Sequence, residues 1–370
     1  METIKESRNW VPAMAIHPTE YIKDEMKARG IKSAALAKML GMQPSNFSRM
    51  LSKKESITPT MAIKLENALG VSAETWTNLQ IAYDKDVQAV SERNAQEQDA
   101  MAVERTLAGV LDLNVLYNKE LTSAYTYTYD KIQALYKAFG VENADGLVGI
   151  SAAAGCFKKS EAVSTEEREL RTWVLLAHKR CCETELDTAY SRDALLEAAK
   201  HIAAMTNNGT ITEHHIKAEL NKAGVGYGVE AKLPKAPVDA YSAFVGGRPY
   251  IITSHRYNNM DMLVFDVLHE ICHILNHLEA MASNISCREN NNSDPREQEA
   301  NAFAEDMLIA RDVWNSIMKT PSKSLSPYSV IGTVVSEAGK HGISPSIAAW
   351  RYKHETGIYN IGKYNSLKIR

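Results

Sequence analysis

The sequence predicts a mainly α-helical chain with one small antiparallel β-sheet, divided into more than one domain. Three observations carry this. Apolar residues recur at helical spacing through most of the 370 residues. Strand-like segments cluster from Gly224 to Thr253, where Gly246-Gly247 marks a hairpin turn, and YTYTY at Tyr125 to Tyr129 reads as a short strand or a turn. Near the N-terminus, two short helical segments flank a glycine turn, the pattern of a helix-turn-helix.

Length and composition set bounds. The chain is long enough for two or three packed domains. A net charge of -3 predicts neither nucleic acid nor an acidic substrate from the overall field, so any DNA contact must come from a local surface. The N-terminus lacks a basic start followed by an apolar core, and no run reaches the ~18 apolar residues of a membrane span; a cytoplasmic protein without membrane contact is expected. The five cysteines are odd in number and at no metal-like spacing, which predicts reduced, packed thiols.

The helical segments begin after Pro18, with Thr19 as the expected cap, and run to the break at Gly30. Ser33 to Leu40, a turn at Gly41, and Gln43 to Ser52 form the helix-turn-helix. Its second helix presents Gln43, Ser45, Asn46, Ser48 and Arg49. Amide and guanidinium groups there suit base edges in the major groove, while Ser48, Lys53 and Lys54 suit phosphates. The basic excess of this region is small, so a helical bundle that binds another protein is the competing reading.

Residues 16–84 resemble the HigA (VapI-like) antitoxin branch of the XRE helix-turn-helix family. The resemblance rests on His17-Pro18, Gly30, Leu36-Ala37, Gly41, Thr58-Pro59, Leu69-Gly70 and the ending WTNLQIAYD. It implies a five-helix domain, dimeric, that binds operator DNA and represses its own operon beside a cognate toxin.

From 85 to 106 the chain is polar, rich in Gln, Glu and Ala, and free of turn residues, which predicts a helical connector between domains. Residues 107–222 read as helices over Tyr129–Phe139, Thr165–Thr184, Ser191–Met205 and Thr212–Ala223, with no motif that assigns them a function. Strands are expected at Val225–Val229, Val238–Val245 and Pro249–Thr253, within a domain spanning 223–320; a helical extension follows over 321–370.

That domain centres on LHEICHILNH, Leu268 to His277. His269 and His273 are four apart on a helix, so both imidazoles reach one ion. Glu270 sits where a carboxylate can take the proton of an attacking water. Cys272 points away from the histidines and is expected to pack. A third ligand is required, and the helix capped by Asp294 and Pro295 offers Glu297 and Glu299. Periodicity does not choose between them, although Glu297 lies nearer the apolar stripe of Ala300, Phe303, Ala304, Met307 and Leu308. His277 is at the wrong spacing for a further ligand and is expected to support the site. Arg256 and Tyr257, just upstream, are candidates for steadying an oxyanion or for a salt bridge within the fold.

Residues 224–310 resemble the ImmA/IrrE family of zinc metallo-endopeptidases, through PYIITSHRY, LHEICHILNH and EQEANAFAEDML. The resemblance implies an α+β, zincin-like domain that holds Zn2+ through His269, His273 and Glu299, with Glu270 as general base. The tail HGISPSIAAWRYKHETG resembles the closing segment of proteins that fuse the two modules. Together these imply a regulator that cleaves a partner repressor or itself to relieve repression. The alternative is a HigA-type antitoxin and autorepressor whose metal domain is a scaffold or sensor.

Overall fold

The computed structural model describes residues 11–122, 124–152, 163–277, 283–286, 294–321, 326–358, 360 and 369. By internal contacts the chain divides into two units, Met1–Ala102 with Tyr127–Tyr129, and Val103–Thr126 with Asp130–Arg370. No helix among the described residues is long and apolar enough to cross a membrane.

In the first unit α1 (Pro18–Ala28), α2 (Ser33–Met39), α3 (Pro44–Lys53) and α4 (Pro59–Leu69) pack with the start of α5 (Ala73–Ala108). The cap of α1 is His17 rather than Thr19: its Nδ1 accepts from the Thr19 amide at 3.1 Å. Proline opens α1, α3 and α4 at a position where its missing N–H costs nothing. Ile22, Leu36, Leu40, Phe47, Leu65, Leu69 and Trp76 form the core. The side-chain carbonyl of Gln80, from the WTNLQIAYD ending, accepts from the Ile57 amide at 2.9 Å and ties the loop before α4 to α5. The polar stretch 85–106 is helical, as its composition predicts. It lies inside α5, one continuous helix of 36 residues, and the division between units falls within that helix.

In the second unit the end of α5 is followed by α6 (Leu113–Leu116), which runs into a turn of π-helix (Tyr117–Leu121), then α7 (Thr128–Phe139), α8 (Ala144–Ala152) and α9 (Thr165–Glu183). These share a core through Leu107, Leu116, Leu135, Leu147 and Leu175. After them come α10 (Arg192–Asn207) and α11 (Glu213–Lys222), capped by Ser191 and Thr212.

The sheet holds β1 (Gly226–Val229), β2 (Ala240–Val245), β3 (Arg248–Thr253) and β4 (Ser283–Ser286) in the order β1-β3-β2-β4. It is mixed rather than wholly antiparallel, because β1 pairs parallel with β3. β2 and β3 form the expected hairpin; Gly246 and Gly247 have φ of 57° and 76°, the left-handed values that a two-residue turn requires. A fourth strand, β4, pairs antiparallel with β2. Gly226 is required on β1: a Cβ there would lie 2.2 Å from the Tyr250 ring.

Strand alternation sends Tyr241, Ala243, Tyr250 and Ile252 to one face, against Trp173, Val174 and Ala177 of α9. The opposite face, with Tyr227, Ser242 and Ile251, covers α12 (Met260–Asn276). Around α12 gather α10, α11, α13 (Pro295–Leu308), α14 (Arg311–Lys319), α15 (Pro327–Lys340) and α16 (Pro345–Thr356), in the largest core of the molecule.

Candidate metal centre and DNA-recognition face

Helix α12 starts at Asn259, whose side chain accepts from the amides of Asp261 and Met262. From Leu263 to Leu275 only Asp266 escapes full burial, so the helix is enclosed on every side. Polar groups inside such a helix must find partners or destabilise it by several kcal/mol. They do so through two elements. On β2, the hydroxyl of Ser242 donates to Oε2 of Glu270, a residue with no exposed surface. On α13, Glu297 and Asn301 meet the histidines.

Glu297, not Glu299, is the carboxylate between the two imidazoles. Its Oε2 lies 3.2 Å from Nε2 of His269 and its Oε1 3.2 Å from Nε2 of His273. The two Nε2 atoms are 3.0 Å apart. His269, His273 and Glu297 are all buried and form the group of ligand-type side chains, among the described residues, with atoms close enough for one ion. The expectation of Glu299 is corrected by helix geometry. Glu297 shares its face with Ala300, Ala304 and Leu308, the buried stripe against the neighbouring helices, and a residue two positions on points elsewhere. Glu299 is engaged by the Asn276 amide at 2.8 Å and by Nε2 of His277 at 3.3 Å.

The remaining ring nitrogens are accounted for. Nδ1 of His269 is 3.0 Å from Oδ1 of Asn301, and Nδ1 of His273 is 2.8 Å from Nδ1 of His277. With a proton on each ligand Nδ1, both Nε2 atoms present lone pairs to the same point. Donor atoms about 2.0–2.1 Å from a tetrahedral Zn2+ stand roughly 3.3 Å apart, close to the separations found here. Charge agrees with shape. Burial alone would raise the Glu297 carboxyl and lower His269. Instead the two imidazoles hold Glu297 far below the usual carboxylate range, and the carboxylates of Glu297 and Glu270 hold His269 above its ordinary value. The site favours a positive charge at its centre, so these three residues fit a divalent cation.

His277 lies where a supporting residue was expected, held below its ordinary pKa first by burial. Arg256 and Tyr257 belong to the fold. The Arg256 guanidinium is 3.6 Å from Asp239 and 3.3 Å from the Pro237 carbonyl, and it stacks over the Tyr257 ring at 5.2 Å. Cys272 is fully buried, with the Asn276 amide 3.7 Å from its sulfur. Sequence reasoning missed Ser242, Asn301 and Asn276. Asn301 alone carried a local signal, four residues after Glu297 and so on the same face.

In the first unit, Gln43, Ser45, Asn46, Ser48 and Arg49 are all exposed along α3, while Phe47, Met50 and Leu51 anchor the opposite face. Arg49 meets Glu55 at 3.2 Å in an exposed pair of the kind worth under about 1 kcal/mol, so its guanidinium is readily released. The side chain of Lys53 lies outside the described residues.

Comparison with known proteins matches two segments. The Helix-turn-helix family matches residues 22–76, and the family described as IrrE N-terminal-like domain matches residues 229–326. Virulence-associated protein I of Dichelobacter nodosus is 36% identical over 83 residues, which is 22% of this chain and 75% of that protein. The uncharacterized HTH-type transcriptional regulator YddM of Escherichia coli is 36% identical over 72 residues, 19% of this chain and 77% of its own length. A solved structure of a HigA-family addiction module antidote protein from Coxiella burnetii is 29% identical, with a TM-score of 0.21, over 23% of this chain and 94% of its own. Through its N-terminal part the chain belongs to the helix-turn-helix family of virulence-associated protein I, and it carries an IrrE N-terminal-like domain in its C-terminal half.

Proposed function

We propose that the chain is a DNA-binding regulator whose C-terminal domain is a zinc-dependent endopeptidase. The observation that carries this is a second buried carboxylate beside the cluster. Glu270 is fully buried beside the His269–His273–Glu297 cluster and is met by the neutral hydroxyl of Ser242. A scaffold needs three or four ligands; an additional enclosed carboxylate costs free energy unless it has work to do.

His269, His273 and Glu297 would hold Zn2+, which when bound supplies Lewis acidity toward a scissile carbonyl and an attacking water. Glu270 accepts the proton of that water and passes it to the leaving amine. Ser242 keeps the Glu270 carboxylate in one orientation through both transfers. Asn301 and His277 hold the two ligand rings so that each Nε2 faces inward.

The first domain binds operator DNA as a homodimer, with Gln43, Asn46 and Arg49 at base edges and Ser45, Ser48 and Lys53 nearer the backbone. The substrate is a separate polypeptide, a partner repressor or a protein encoded beside it. Residues 85–106 are a poor substrate in cis, because a peptidase needs extended chain and they lie within α5. Cleavage of the partner would relieve repression.

The test is mass spectrometry of the zinc-loaded protein incubated alone and with the products of neighbouring genes, beside Glu270→Ala. Discrete fragments from the wild type only support the endopeptidase. Identical intact masses with both proteins, together with neutralisation of a neighbouring toxin by both, would establish the non-catalytic antitoxin instead.

A further inference from the structure

His273 ends a line of hydrogen bonds that begins on α10, in the helical region before the IrrE-like segment. Arg192, the first residue of α10, donates through Nη1 to the Leu275 carbonyl and through Nη2 to Oδ1 of Asn276 at 3.1 Å. Asn276 donates through Nδ2 to Oε1 of Glu299 at 2.8 Å. The other oxygen of Glu299 is 3.3 Å from Nε2 of His277, and Nδ1 of His277 is 2.8 Å from Nδ1 of His273.

One arrangement of protons satisfies every link. For His273 to offer a lone pair at Nε2, its proton must sit on Nδ1. Nδ1 of His277 then accepts it, so the His277 proton sits on Nε2 and points at Glu299, an acceptor without a proton of its own. The Asn276 amide is oriented the same way, with oxygen toward Arg192 and nitrogen toward Glu299. We propose that Arg192, Asn276, Glu299 and His277 form a positioning line that fixes the tautomer and ring orientation of His273. The helical region before the peptidase segment is thereby part of the metal centre. This rests on the reading of His269, His273 and Glu297 as the metal ligands.

The outer members are needed because Glu299 is more than half exposed while His277 and His273 are buried. An exposed carboxylate left to itself spreads over many rotamers, and its pairing with a histidine would be weak. Asn276 holds one oxygen, and Arg192 holds Asn276. His269 needs no such line, since Asn301 on α13 faces it directly.

The experiment uses the full chain and two readouts, zinc affinity by chelator competition and the tautomer of His273 by nitrogen-15 NMR of the metal-free protein. His277→Phe fills the space but cannot accept, and zinc binding should weaken about 10–100-fold, with the His273 proton moving to Nε2. His277→Asn restores an acceptor near the former Nδ1 and should return affinity to within about threefold of wild type. Arg192→Met should weaken binding about fivefold, the equivalent of one hydrogen bond. Should His277→Phe not fold, Glu299→Ala on the exposed side carries the same expectation of about tenfold. Unchanged affinity and tautomer in these variants, or His277→Asn as weak as His277→Phe, would overturn the positioning role. Wild type that binds no zinc would be a different failure, that of the metal reading itself, while the tautomer in metal-free protein still judges the line.

Discussion

Ser242 donates its hydroxyl proton to Glu270, and through that contact the second strand of the sheet reaches the middle of the HExxH helix. Both residues are fully buried. Ser242→Ala removes this donor. A hydrogen bond to a charged group is worth about 1.5–3 kcal/mol, so kcat for peptide cleavage should fall roughly 10–100-fold. Zinc affinity should stay at the wild-type value, since Ser242 touches none of the three ligands; steady-state kinetics and chelator competition on one preparation check both.

On the recognition helix, Asn46→Ala and Gln43→Ala should each weaken operator binding by about 1–3 kcal/mol without loss of fold, because both side chains are exposed. Phe47→Ala, one residue from Asn46 but completely buried, should instead destabilise the domain by about 3–5 kcal/mol. Fluorescence anisotropy with the chain's own upstream DNA, read beside urea unfolding, separates the two effects.

Cys272 lies within the HExxH sequence yet is sealed in the core, and burial pushes its thiol up to about 12. The thiolate is the reactive form, so iodoacetamide at pH 8 should leave Cys272 unmodified in the native protein and alkylate it after denaturation. Peptide mass spectrometry of the two samples measures this.

The core around the His269–His273–Glu297 cluster extends past the segment that matches the IrrE-like family. Arg351 on α16 is buried and donates to the carbonyls of Glu305 and Ile309 at 2.9 and 2.7 Å, capping the end of α13. It also meets Glu355 at 3.0 Å and stacks over Trp314 at 5.0 Å. Arg351→Met removes both of these bonds and the buried charge pairing, and should cost about 3 kcal/mol in urea unfolding. Because α13 carries Glu297, the same variant should also weaken zinc binding.

The parts of the fold set by local rules were legible in the sequence. Alternation and the paired glycines located β2 and β3, and Asp294-Pro295 located the start of α13. The strand β1 was legible too, but its parallel pairing with β3 was not, because the path between them leaves no local pattern. The helical character of the polar residues 85–106 was legible, but not that they continue without a break the helix that begins at Ala73. At the site, four-residue spacing brought His269 and His273 together as expected. The choice between Glu297 and Glu299 depended on which face of α13 meets α12. Family resemblance pointed to one, and the buried stripe pointed to the other. Ser242 was illegible, since its partner lies 28 residues away across the sheet–helix junction.

The assignment of Glu297 gives the most direct test of the whole account. Zinc content and affinity should be measured by elemental mass spectrometry and chelator competition for wild type, Glu297→Gln and Glu299→Gln. One tightly bound zinc per wild-type chain is expected, with a loss of at least about 100-fold in affinity for Glu297→Gln and of no more than about tenfold for Glu299→Gln. Zinc retained by Glu297→Gln and lost by Glu299→Gln would contradict the assignment.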